Sequence, residues 1–233
     1  MTHCLTAAAI AASLSICSSA SAQLIDDFET PGLPEYTATV ILDANGGAPN
    51  VSAFSDPAGQ LQFETTTFDG IEQTVLIRNG LSLSVGEELQ AEFNLTGSQD
   101  FGLYVGGTAP TAGVREDYVS VYARDNGQVF SRGFDGTTEF GLTGGGTPAY
   151  ESLFIARTED NTYELGFYEG GVRNIVTTRT PTFANDGEFV GFYTDARAAG
   201  VTGFADNLTI VAVPEPASLG LLGIGALALI RRR

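Results

Sequence analysis

Apolar and polar residues alternate with a period of two in short runs along most of this chain. In Gln60 to Phe68, Leu61, Phe63, Thr65 and Thr67 fall on one side and Gln62, Glu64 and Thr66 on the other. In Glu88 to Thr96, Leu89, Ala91, Phe93 and Leu95 share a face. That period is the mark of strands half-buried against a core. Similar segments run from Leu24 to Phe28, Glu35 to Asp43, Ile71 to Ile77, Leu81 to Val85 and Phe101 to Val105. In the second half they recur at Tyr118 to Ala123, Gln128 to Phe134, Thr137 to Leu142, Ser152 to Arg157 and Thr162 to Tyr168. Val172 to Thr178, Glu188 to Thr194 and Phe204 to Val211 complete the set. Asn79-Gly80, Asp125-Asn126-Gly127 and Glu159-Asp160-Asn161 read as hairpin tips, and Gly144-Gly145-Gly146 as a flexible loop. No helical period and no βα alternation occur. The pattern predicts an all-β fold, an antiparallel two-sheet jelly-roll sandwich over 23–212, with a closed barrel as the alternative.

Two stretches break the alternation. At the N-terminus, Leu5 to Ile16 is continuously apolar, and Ala20-Ser21-Ala22 supplies small residues before Gln23. This predicts a signal peptide over 1–22, cut between Ala22 and Gln23 by signal peptidase. Its n-region carries no Lys or Arg. Cys17 follows Leu14-Ser15-Ile16, without the small residue that precedes a lipidated cysteine.

At the C-terminus, Val213 to Arg233 reads VPEPASLGLLGIGALALIRRR. Ala217 to Ile230 is uncharged and predicts one apolar helix of roughly 21 Å, short of the ~30 Å hydrocarbon core. Pro214 and Pro216 bar a helix before it. Arg231, Arg232 and Arg233 would stay on the cytoplasmic side and stop the chain there. Order, spacing and position resemble the PEP-CTERM sorting signal of Gram-negative bacteria over 213–233. The resemblance implies that Pro214, Glu215 and Pro216 are read by an exosortase, a membrane protease-transpeptidase. It implies transient membrane insertion through the helix, then delivery to the cell surface, outer membrane or extracellular matrix. An uncleaved tail anchor is the alternative.

Composition narrows the chemistry of the intervening domain. It contains no Cys, His, Met, Trp or Lys. Disulfides, thiolate nucleophiles, His general bases and His/Cys zinc sites are therefore excluded. Its eight arginines face 27 carboxylates, a net charge of −19. Such a charge repels nucleic acid, so no nucleic-acid partner is expected.

LFIARTEDNTYELGFYEGG, EFVGFYTDAR, FADNLTI and the opening LIDDFE resemble the concanavalin A-like lectin/glucanase sandwich, in which first and last strands pair. That resemblance implies a structural calcium near the joined termini, with Asp206 and either Asp26 or Asp27 as ligands. Alternation puts Asp26 and Asp27 on opposite faces, so only one would serve. The E-x-D-x-x-E spacing of laminarinase-like enzymes is absent, and no catalytic residue is assigned. Glu159, Asp160 and Glu164, or Glu87, Glu88 and Glu92, come nearest. Tyr118 and Tyr122 lie on one strand face and are expected as an exposed, ligand-binding pair. The expectation is a non-catalytic exported module, structural or glycan-binding, with extracellular polysaccharide as a partner. The alternative is an extracellular carboxylate-dependent glycoside hydrolase.

Overall fold

The computed structural model describes residues 22–213 apart from 31, 47–50, 57–58, 66, 97–98, 125 and 184–186. Residues 1–21 of the expected signal peptide, Pro214-Glu215-Pro216, the helix expected over 217–230 and Arg231 to Arg233 lie outside the described residues. The described chain is all β. It runs β1 (Gln23–Asp26), β2 (Tyr36–Asp43), β3 (Val51–Asp56), β4 (Gln60–Thr65), β5 (Glu72–Arg78), β6 (Glu87–Thr96), β7 (Gln99–Gly106) and β8 (Tyr118–Arg124). Then follow β9 (Val129–Asp135), β10 (Thr138–Glu139), β11 (Thr143–Gly144), β12 (Ser152–Glu159), β13 (Thr162–Glu169), β14 (Val172–Arg179), β15 (Phe189–Ala196) and β16 (Val201–Ala212).

These strands form two antiparallel sheets. The first has the order β14-β13-β12-β6-β16-β4-β3, with β1 also on β16. The second has the order β10-β9-β8-β7-β15-β5-β2, with β11 on β9. The chain passes from sheet to sheet repeatedly, so β15 inserts between β7 and β5, and β16 between β6 and β4. Non-neighbouring strands thereby lie side by side, as a jelly roll requires.

The core fills the space between the sheets with the inward set of each strand. Leu61 and Phe63 come from β4, Leu89, Ala91 and Phe93 from β6, Leu153 and Ile155 from β12. They meet Phe101, Leu103 and Val105 of β7, Val119 and Val121 of β8, and Val190 and Phe192 of β15. Phe192 sits at the aromatic centre, 6.0 Å from Phe28, 6.2 Å from Phe93, 6.0 Å from Phe101 and 6.4 Å from Tyr36.

The hairpins β8–β9, with Gly127 at positive φ, and β12–β13 form as expected. The Asn79-Gly80 turn does not close a hairpin. Gly80 takes a positive φ, and Leu81 N–H donates to Arg78 O at 3.2 Å. The chain then leaves the second sheet, buries Leu83 completely, and bonds Leu83 N–H to Gly187 O at 2.8 Å. Residues 81–86 are thus a crossover to β6, and core burial of Leu83 outweighs local turn preference. Nor is the triple-glycine segment a free loop. Gly145 N–H donates to Val129 O at 2.7 Å, and Val129 N–H to Gly146 O at 3.0 Å.

Phe192→Ala should empty the centre of the aromatic cluster and cost about 3–5 kcal/mol, read as a lowered urea midpoint with unchanged m-value.

Candidate functional site

The second sheet is apolar or aromatic on both faces. Residues alternate between the core and the outer face along each strand. Outward positions are Tyr104 on β7, Tyr118 and Tyr122 on β8, Tyr193 on β15, Val75 and Ile77 on β5, and Phe134 on β9, which form a second apolar cluster with Ile41. Tyr118 and Tyr122 do share a face, as expected, but they are not an exposed pair: both are buried, at 1% and 0% exposure.

The physical reason lies in glycine and in a crossing loop. Gly102 and Gly191 leave no side chain beside the rings, and a side chain at either would strike Val121 or Leu76 backbone. The tyrosines therefore close up on one another. Ring centroids are 5.1 Å apart for Tyr104 and Tyr118, 6.3 Å for Tyr118 and Tyr193, and 5.4 Å for Tyr122 and Tyr193. Between β7 and β8, residues 107–117 reach past β15 and β5 to β2, where Gly113 N–H donates to Val40 O at 3.0 Å. Arg115 of the same loop lies 4.8 Å from the Phe134 ring centroid.

Beside the tyrosines runs a polar row along one register of four strands. Gln73 of β5 faces Asp195 of β15, Asp195 faces Asp100 of β7, and Asp100 faces Arg124 of β8. Both carboxylates are fully buried. Arg124 holds Asp100 in a bidentate pair at 2.6 and 2.8 Å. Asp195 Oδ2 accepts from Arg197 at 2.8 Å, Gln73 at 3.1 Å and Arg132 at 3.3 Å. Two neighbouring carboxylates are tolerated here because guanidinium groups surround them. Burial pushes the Asp195 carboxyl above its ordinary value, and Arg197 opposes the shift. Among the buried atoms on this face without a hydrogen-bond partner among the described residues are Asp195 Oδ1, Gln73 Oε1, Tyr118 OH and Tyr122 OH; Arg132 Nε and Arg197 Nε also make no hydrogen bond but lie 2.9 Å from Glu139 and 3.6 Å from Asp100. Native structures seldom leave such atoms unpaired unless a water or ligand meets them. Arg124 and Arg197 are part-exposed, so solvent reaches the row at its arginines.

Sequence reasoning missed this row. Its members lie on four strands far apart in the chain, and only the pairing of β15 with both β5 and β7 aligns them. The outward parity of Asp100 and Asp195 was the one available signal.

The other sequence candidates are placed elsewhere. β1 and β16 do pair, with Asp26 opposite Leu208. Asp26 Oδ1 accepts from Phe28 N–H at 2.8 Å, and Oδ2 from Tyr36 OH at 3.0 Å, with Arg78 Nε 3.9 Å away. Asp27 caps Glu29 N–H at 3.3 Å, and Asp206 accepts from Asn207 N–H at 2.7 Å while its strand partner is Glu92. No group of three carboxylates among the described residues converges for a metal. Calcium asks for six to eight oxygens, and Arg78 already balances Asp26, so these donors do not fit the expected calcium site. Glu88 is likewise committed, to Arg173 at 2.7 Å and Tyr168 OH at 2.8 Å. Gln23 is the first residue of β1, and Ala22 directly precedes the strand.

Residues 212–233 match the PEP-CTERM protein-sorting motif. No curated protein matches the chain. Among solved structures, the exoplasmic/lumenal domain of VIP36 in its Ca2+-bound form is 9% identical, with a TM-score of 0.53 over 83% of this chain and 90% of that one. The β-glucanase of Bacillus licheniformis is 9% identical, with a TM-score of 0.53 over 85% and 100%. The legume lectin-like domain from Entamoeba histolytica is 9% identical, with a TM-score of 0.51 over 77% and 91%. The chain thus has a lectin/glucanase-like sandwich.

Two outcomes follow for the purified domain. Adding calcium or chelator should leave its melting temperature unchanged. Burial raises the phenol pKa of Tyr36, Tyr104, Tyr118, Tyr122, Tyr150 and Tyr193, and pushes Tyr168 up to about 12. An unfolded chain releases those protons near pH 10, so the native state binds more protons there and loses stability as pH rises further. Absorbance at 295 nm should therefore show most phenolates appearing together with loss of near-ultraviolet circular dichroism, rather than one by one.

Proposed function

We propose that this chain is an exported, non-catalytic glycan-binding module, sorted by an exosortase to the cell surface or exopolysaccharide of a Gram-negative bacterium. The sorting motif at 212–233 supports the route. The observation that carries the binding role is the outer face of the second sheet. There, buried acceptors on Asp195 and Gln73 stand unpaired beside a cluster of packed tyrosines. A sugar brings hydroxyl donors for such acceptors. The VIP36 domain has been solved with Man3GlcNAc and Ca2+, which supports a carbohydrate ligand for a sandwich of this shape. The arginine rim is the entrance, since the crossing loop covers the tyrosines.

Catalysis is disfavoured by the same geometry. A glycosidase needs one carboxyl free to donate and one free to attack or to activate water. In this row Asp100 gives both oxygens to Arg124, and only Asp195 keeps an unpaired oxygen, so the two do not make a free pair.

A glycan array probed with the mature domain should reveal binding to neutral glycans, weakened at least tenfold in Gln73→Leu with the fold retained. Uniform non-binding would overturn the binding role and leave a matrix-structural one; turnover of any polysaccharide would overturn the non-catalytic reading.

A further inference from the structure

The sorting motif and the sandwich overlap in sequence. The match begins at Ala212, and Ala212 is the last residue of β16, paired with Glu87 of β6. Val213 is still tied down, its N–H donating to Gly86 O at 2.8 Å. Pro214 follows at once, without a spacer. Gly86 is itself pinned, since its N–H donates to Arg157 O at 2.7 Å on β12. The acceptor is therefore part of the rigid end of the sandwich, and any separation must come from the tail side.

One recurring way to hold a peptide is extended, with its main chain gripped by hydrogen bonds. A backbone N–H donates to one partner at a time. We infer that Ala212 and Val213 are shared between the sandwich and the sorting enzyme, so that processing requires the end of β16 to lift off Glu87 and Gly86. The end of the sandwich around Gly86, with Val85 half-exposed beside it, is then the surface that meets the membrane-embedded enzyme. This rests on the reading of 212–233 as a signal handled by an exosortase. Folding of the domain and processing of its tail compete for the same backbone groups, and the rate of processing reports how easily one rung opens.

The test uses the full chain expressed in its own host. A six-residue insert, Ser-Gly-Ser-Gly-Ala-Val, is placed between Val213 and Pro214. The native Ala212 and Val213 then stay in the sheet while a free Ala-Val precedes the motif. Pulse-chase with intact-mass readout should show processing about three- to ten-fold faster, the effect of one freed hydrogen-bonded rung. The same insert between Pro216 and Ala217 should bring no acceleration. Equal or slower processing of the first variant, or equal acceleration by the second, would overturn the inference while leaving the sorting reading intact. No processing of wild type or of either variant would overturn both.

Discussion

The whole sandwich depends on the pairing made by its last strand. β16 lies between β6 on one side and β4 and β1 on the other, so it joins the first residues of the domain to its middle. Without it the first sheet separates into a β14-β13-β12-β6 half and a β3-β4 hairpin, and β1 has no partner. Pairings this far apart in sequence form late, because loop closure must be met before the contacts repay it. The domain is completed only when the residues next to the sorting tail are in place, which puts the end of folding and the start of the tail at one point in the chain.

The second constraint is charge. With eight arginines against 27 carboxylates in the domain, every cation counts. Arg78, Arg124, Arg132, Arg173 and Arg197 are in ion pairs, while Arg157 and Arg179 donate to backbone carbonyls. Arg115 lies over Phe134. A guanidinium serves several acceptors in one plane, as Arg124 does for Asp100, and an ammonium could not. Among the described residues the arginines are thus engaged within the fold, and no basic patch is left there to attract phosphate. On the outer face of the second sheet they hold Asp100 and Asp195 as buried carboxylates beside the buried tyrosines.

How much of this was legible beforehand varied with the range of the interaction. The inward set Leu89, Ala91 and Phe93 could be read from alternation, because burial on one face imposes period two wherever a strand lies on a core. The tips at Gly127 and Asp160-Asn161 could be read because a positive φ or a tight turn is a local demand. Asn79-Gly80 misled for the same reason: it is a genuine turn, but the burial of Leu83 against the far side of the sandwich decides where the chain goes next. Tyr118 and Tyr122 misled because a strand with tyrosines outward looks solvent-facing until Gly102, Gly191 and the 107–117 crossing are seen to close over them. The calcium expectation correctly joined β1 to β16, yet the side chains there turn to Tyr36, Arg78 and local amides.

By itself, then, the sequence determined what is covalent or local: the strand class of the domain, the absence of thiol and imidazole chemistry, the hairpin tips, and the sorting motif that ends the chain. Tertiary structure alone decided which strands became neighbours. That choice sets Gln73, Asp195, Asp100 and Arg124 in one row, buries the tyrosines, and ties Val213 to Gly86. The reason is that hydrogen-bonded register between distant strands is selected by the summed burial of both faces, a quantity that no single stretch of residues carries.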